Sequence, residues 1–191
     1  MSERHDAGAD MTETFEPFQC DTALLRPNAV EDLDAFLAEP EEHLLSIHDD
    51  PEGAARLWAE RLKRNPYGGE GVVTVEYYGH ELMGPTLLDH VTVTWELLVD
   101  AVEEFVTGAS VREPADRLPE EPALRRVAAG ALFSVDDQTT LVDPAVVVPG
   151  LLDGAAAFTA WVRDHLGTGD APDLDRLDRL RAAWEQTRTS R

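Results

Sequence analysis

An apolar stripe in the middle of the chain constrains the fold more than any other feature. In the segment Thr86–Gly108, TLLDHVTVTWELLVDAVEEFVTG, residues Leu88, Val91, Trp95, Leu98, Val102 and Phe105 recur at alternating spacings of three and four. That rhythm sets them on one side of a helix. Asp89, Thr92, Glu96, Asp100, Glu103 and Thr107 fall on the other side. Thr86 and Asp89 have the spacing of a capping box with Asp in the Glu position, and Gly108 can supply a left-handed stop. Val91, Thr92, Val93 and Thr94 are β-branched and weaken helix preference locally, but so regular a stripe outweighs propensity. The sequence therefore predicts a helix over 86–108. Its Trp95 and Phe105 side is expected to wall the core, and its carboxylates to face outward.

The segments around this helix predict the other elements. Phe15, Phe18 and Leu24 suggest a short extended piece before Arg26-Pro27. Val30, Leu33, Phe36 and Leu37 have helical spacing up to Pro40, and Glu41–Ile47 can add a turn or two. Asp50-Pro51 reads as an N-cap followed by proline at the first helical position, opening a helix to about Arg64 that buries Ala54, Leu57, Trp58 and Leu62. Asn65-Pro66 ends it. From Gly71 to Tyr78 the period falls to two, which predicts a strand; Gly79-His80 turns the chain and Glu81–Met83 pairs back. Arg125–Val135 and Thr139–Val142 read as a second hairpin about Asp136–Gln138, with Val146–Val148 extended beyond it. A helix is then expected over 149–166 and a last one over 173–187, with paired charges Asp173–Arg176, Asp175–Arg179 and Asp178–Arg181.

The expected architecture is α+β. Two antiparallel hairpins join one small sheet, packed against the central amphipathic helix and the 149–166 helix, with the N- and C-terminal helices peripheral. Residues 1–14 read as a disordered acidic N-terminus and 15–167 as one domain, whose 28–65 part is acidic and helical. Residues 168–191 read as a C-terminal helix. Trp58, Trp95, Trp161 and Trp184 each sit on the apolar side of a predicted helix and are expected in the core.

Charge limits the partners. The chain has 38 acidic and 16 basic residues, a formal net charge of −22. Such a field repels nucleic acid and anionic membrane and favours basic surfaces. Between Asn28 and Asp50 stand eight carboxylates and no Lys or Arg. No apolar run reads as long enough to span a bilayer, and the N-terminus lacks an apolar leader core, so a cytoplasmic location is expected. Lys63 and Ile47 are the only residues of their types. That scarcity reads as the coding bias of a GC-rich bacterial genome rather than as structural selection.

Motifs for chemistry are sparse. Cys20 is the only cysteine, which excludes an internal disulfide and a multi-cysteine metal site. No GxSxG, GxxxxGK[ST] or GxGxxG occurs. His80, Glu81, Asp89 and His90 are the best candidate metal ligands, although Gly84 stands where HExxH would need its second histidine. His43, His48, Asp49 and Asp50 form a second polar group. Glu96, Asp100, Glu103 and Glu104 have the spacing of a magnesium-holding carboxylate ladder but lack a facing set.

Three functions follow as expectations. The first is a non-catalytic acidic binding protein (an inhibitor, immunity-type or accessory protein) that docks a basic protein partner without a cofactor. Glu31, Asp32, Asp34, Glu41, Glu42, Glu96, Asp100 and Glu103 are its candidate contacts. The second is a small metal-dependent enzyme using the His80 group. The third is a self-associating protein with the seam Leu174, Leu177, Leu180 and Trp184 as interface.

Overall fold

A computed structural model describes residues 16–26, 32–63, 69–111, 118, 121–167 and 172–189. The N-terminal stretch 1–14, Val30 and Glu31, and most of the proline-rich connection after Val111 lie outside the described residues.

Strand β1, Phe18–Leu25, is central to the larger sheet. It is followed by helices α1 (Leu33–Ala38) and α2 (Pro40–His43), strand β2 (Leu44–Ser46), helix α3 (Pro51–Leu62), strands β3 (Glu70–Tyr77), β4 (His80–Met83) and β5 (Asp89–His90), and helix α4 (Val91–Thr107). The sheet is antiparallel with the order β2-β1-β3-β4, and β5 pairs with β3 as well. The period-two reading of β3 holds. Val73 and Val75 face the main core, while Thr74 and Glu76 lie on the back of the sheet. The tight turn to β4 uses positive φ at both Tyr78 (50°) and Gly79 (73°), as a hairpin with right-handed strand twist requires. The extended piece expected near Phe18 proves to be the longest pairing partner of β3, with Cys20 opposite Val75 and Thr22 opposite Val73. Leu44–Ser46 is strand and not the extra helical turn expected, because it completes the edge beside β1.

A second correction concerns the sheet count. Strands β6 (Ala123–Val127), β7 (Gly130–Val135) and β8 (Gln138–Val142) form a separate three-stranded meander instead of a hairpin added to the first sheet. The break at Ala128-Ala129 carries no turn residue. Gly130 supplies the turn with φ 147°, and a Cβ there would come within 2.7 Å of the Val142 carbonyl oxygen. Arg126 ties this sheet to α4: its guanidinium lies 4.2 Å above the Phe105 ring and donates to the Phe105 carbonyl.

Helix α3 starts as read, Asp50 accepting from Gly53 N–H with Pro51 at the first position. Ala54 and Trp58 are buried, but Leu62 is exposed. Helix α4 buries Val91, Trp95, Leu98, Val102 and Phe105 and ends at Gly108 in the left-handed region (φ 72°). Its start differs. The capping box at Thr86 and Asp89 does not form, since Asp89 and His90 pair with Gly71 and Glu70 and the Val91 N–H donates to the Gly69 carbonyl. Leu88 is left exposed in consequence.

Helix α5 runs over Pro144–Leu166, capped by Asp143 through the Ala145 N–H and stopped at Gly167 (φ 76°). The expected start at Pro149 was wrong. Val147 and Val148 are fully buried as helix, and Pro149 sits inside the second turn, where the burial of this valine pair outweighs the lost hydrogen bond. The extension makes α5 long and apolar enough, by length and composition, to cross a membrane, contrary to the sequence reading. Here it is a core helix packed on β1, α3 and α4. Gly150 and Gly154 let it approach β1, because a Cβ at either would overlap Phe18 or Cys20.

Helix α6, Leu174–Thr189, is no appendage. Leu177, Leu180 and Trp184 belong to the main core, and Trp184 meets Phe105 with ring centroids 6.0 Å apart. The seam expected to mediate self-association is therefore buried within the chain itself. All four tryptophans are core residues as expected. A small second cluster on the back of the larger sheet joins Leu25, Val72 and Phe36, with α1 as its cover.

Candidate functional site

The two sets of candidate acidic contacts have different surroundings. On α4, Glu96, Asp100 and Glu103 recur at helical spacing, so their carboxylates share one side. Arg176 of α6 reaches into that side. Its Nη1 lies 3.1 Å from Glu96, its Nη2 2.6 Å from Asp100 and 2.6 Å from Glu103, and its Nε donates to Glu103 at 2.8 Å. The side chains of Arg176 and Asp100 are only 19% and 20% exposed. Burial alone would lower the Arg176 pKa, but the hydrogen bonds that it donates to Asp100 and Glu103 more than offset this and raise it. At Glu96, the longest of the contacts, burial wins: the carboxyl is held above its usual range despite Arg176, with Asp100 and Asp173 adding to the rise. The ladder that resembled a magnesium site thus holds a guanidinium, and Glu104 instead accepts the Val111 N–H at 2.8 Å.

Sequence reasoning missed Arg176. It was assigned to Asp173 one turn away, whereas Asp173 accepts from the Asp175 N–H at the head of α6. The only signal was an acidic row without basic neighbours on its own helix. Asp178–Arg181 forms as expected, and Arg181 also reaches Asp153.

The second acidic set lies on α1 and α2. Asp32 caps α1 through the N–H groups of Asp34 and Ala35, which gives it a structural role. Asp34, Glu39, Glu41 and Glu42 are exposed, and no ion pair joins them to a Lys, Arg or His among the described residues. The nearest cation in sequence, Arg26, donates to the Leu44 carbonyl at 3.1 Å. His43 tilts against Phe36 with centroids 5.8 Å apart, so the helix pair is anchored from below while its carboxylates point to solvent. Glu31 lies outside the described residues.

The four candidate metal ligands do not converge. His80 pairs with Tyr77 and Glu81 with Glu76 at one end of β3, whereas Asp89 pairs with Gly71 and His90 with Glu70 at the other. Seven steps of strand separate Glu70 from Tyr77, about 23 Å at roughly 3.3 Å per residue. Among the described residues no three His, Cys, Asp or Glu side chains are placed to share an ion.

Comparison with known protein families, curated proteins and solved structures returns no match.

One polar group was invisible in the sequence. Asp21 accepts from its neighbour Thr22 N–H and from Ser46 Oγ at 3.0 Å, and His48 Nε2 stands 3.7 Å away. Ser46 Oγ in turn receives the His48 and Asp49 N–H groups. This arrangement ties the end of β2 to β1, and Asp50 caps α3. Cys20, on the other side of β1, shares an open groove with His48, Asp153 and Gly154. Burial, followed by the charges of Asp21 and Asp153, pushes its thiol up to about 11. It is therefore protonated at neutral pH and a poor nucleophile.

Proposed function

We propose that this chain is a non-catalytic acidic binding protein that docks a basic protein partner, in the manner of an inhibitor, immunity-type or accessory protein. The observation that carries the reading is the contrast between its two acidic rows. The α4 row is satisfied internally by Arg176, while the α1–α2 row is left open to solvent. Asp34, Glu39, Glu41 and Glu42 stand exposed on a chain of strongly negative net charge. Such a field accelerates encounter with a basic surface and disfavours acidic ones. The proposed contacts narrow accordingly to Asp34, Glu41 and Glu42 with Glu39, and Glu96, Asp100 and Glu103 drop out because docking there would have to displace Arg176.

The test uses the full chain immobilised as bait in lysate of its native cell, at low and high salt. A Glu41→Gln/Glu42→Gln bait is compared with Asp175→Asn/Glu185→Gln, which removes two charges from exposed positions of α6. The expected result is a basic protein held by the unaltered chain at low salt, lost from the α2 variant and kept by the α6 variant. Equal loss from both variants, or no basic protein held at low salt, would overturn the proposal.

A further inference from the structure

Strand β8 leaves one edge of the smaller sheet open. It returns along β7 after a two-residue turn, Asp136-Asp137, with Val135 opposite Gln138 and Leu132 opposite Leu141. In an antiparallel ladder closed in this way bonded pairs alternate, so Gln138, Thr140 and Val142 bond to β7. Thr139 and Leu141 therefore point their N–H and C=O groups away from the sheet. Among the described residues no further backbone bond reaches them. Both residues are exposed, Leu141 at 52%. The open run stops at Asp143, whose N–H donates to the Tyr77 hydroxyl.

Exposed edges are ordinarily blunted by lysine, proline or a bulge, because unpaired strand groups recruit further strands. The β8 sequence QTTLV has neither residue, and its register with β7 is unbroken. The opposite edge strand of the same sheet, β6, carries Arg125 and Arg126. The charges flanking β8 are acidic. Asp136 and Asp137 precede it, Asp143 follows it, and all three are exposed. Glu81 shares a small pocket with Asp136 and Gln138. Asp136 and Asp137 form no ion pair with a described Lys or Arg.

We infer that the β8 edge takes up, as an added strand, an extended partner segment with Lys or Arg at its ends and β-branched or apolar residues between. This goes beyond the proposed function and does not rest on it, since the α1–α2 row lies over the larger sheet. Thr139 and Leu141 exchange main-chain bonds with the segment. Leu141 and its cross-strand neighbour Leu132 desolvate the middle of it, and Asp136, Asp137 and Asp143 meet the cations at its ends. Charge selects this occupant. Antiparallel pairing of two copies through the same bonds is centred on Thr140 and sets Asp137 opposite Asp143, on chains that each carry −22. A segment with acidic ends meets the same repulsion.

The test measures binding of labelled peptides to the full chain by fluorescence anisotropy, and hydrogen exchange at the Thr139 and Leu141 amides by NMR. Each peptide is a short alternation of Val and Thr. One has Lys at both ends and one has Glu. A third is the Lys peptide with its central amides N-methylated, which keeps the charge and removes the donors. The Lys peptide is expected to bind at least about tenfold more tightly than either of the others, and to protect both amides. Leu141→Pro, at an edge position whose N–H faces solvent, should remove the advantage of the Lys peptide over its N-methylated form. Asp136→Asn/Asp137→Asn leaves the edge backbone in place and should weaken the Lys peptide several-fold and flatten its salt dependence. The inference is wrong if the Lys peptide does not bind at low salt, if N-methylation costs nothing, if neither variant weakens binding, or if the two amides stay unprotected. Loss of binding only in Glu41→Gln/Glu42→Gln would assign the peptide to the α1–α2 row, overturning this inference while supporting the proposed function. Protection that grows with protein concentration in the absence of peptide would place a second copy on the edge and overturn it as well.

Discussion

The indole N–H of Trp95 donates to the hydroxyl of Thr22 at 2.9 Å, both side chains being almost wholly buried. This bond fastens α4 to the centre of β1. It also explains how a polar Thr can stand at 1% exposure in an apolar environment. Replacing Thr22 by Val keeps the shape and strands the indole N–H, so Thr22→Val should cost about 1–3 kcal/mol. Urea unfolding measures it. An unchanged midpoint with unchanged slope would mean that the bond contributes nothing net.

Arg176 and Glu96 should respond in opposite ways. Arg176→Met removes the cation that three carboxylates share, and repulsion among them should lower stability by about 2 kcal/mol. Glu96 is different because its folded-state carboxyl is raised above its ordinary value. A carboxyl raised by folding binds its proton more tightly in the folded chain, so its ionisation opposes folding. That penalty is absent below the ordinary carboxyl range and sets in as pH rises through it to the raised value. Glu96→Gln should therefore leave stability at neutral pH unchanged or higher, and should flatten this part of the pH profile. A clear loss of stability in Glu96→Gln at neutral pH would contradict the balance of burial over pairing.

Gly154 sits in mid-helix, where Ala would ordinarily add about 1 kcal/mol of stability. A Cβ there would lie 2.4 Å from Cys20 Sγ and 2.6 Å from Trp95 Cη2. The indole cannot yield without breaking its bond to Thr22. Gly154→Ala is expected to destabilise by about 2–3 kcal/mol, and pairing it with Cys20→Ala should recover only the part due to sulfur. Thermal melts of the single and double variants decide the sign.

Cys20 provides a chemical check on the groove between β1 and α5. With its thiol pushed up to about 11, alkylation by iodoacetamide should be slow at neutral pH and should keep rising well beyond the ordinary thiol range. Denaturant should restore the rate of a free cysteine. Asp153→Asn should speed the native reaction modestly by removing one of the charges that disfavour the thiolate. Fast native labelling at neutral pH would contradict the burial of the thiol.

The parts of the fold legible in the sequence are those set by local chemistry. Asp50-Pro51 announced α3, Gly108 and Gly167 marked two helix ends, and alternation across Val72–Tyr77 announced β3. Strand β1 was faint because Thr22–Leu25 is buried on both faces and shows no period of two. The candidate contacts were found only as residue types. Nothing in the sequence marks Asp32, rather than its acidic neighbours, as the cap of α1, and the row on α4 carries no mark of the arginine 73 residues beyond Glu103 that meets it.

By itself the sequence determined the helical stripe from Val91 to Phe105, the Asp50 cap, the glycine stops at 108 and 167, the β3–β4 turn, and a net charge of −22. Those properties depend on neighbours within a turn or a strand, or on a sum over the whole chain. Only the tertiary structure decided that the meander stands apart from the first sheet, that Pro149 lies within α5, and that Leu177, Leu180 and Trp184 close the core from inside. It also decided which carboxylates remain open, because Arg176 can satisfy the α4 row only after α6 has folded back over it. The reason is distance: burial and ion pairing depend on which segments meet in space, and spacing along the chain does not encode that meeting.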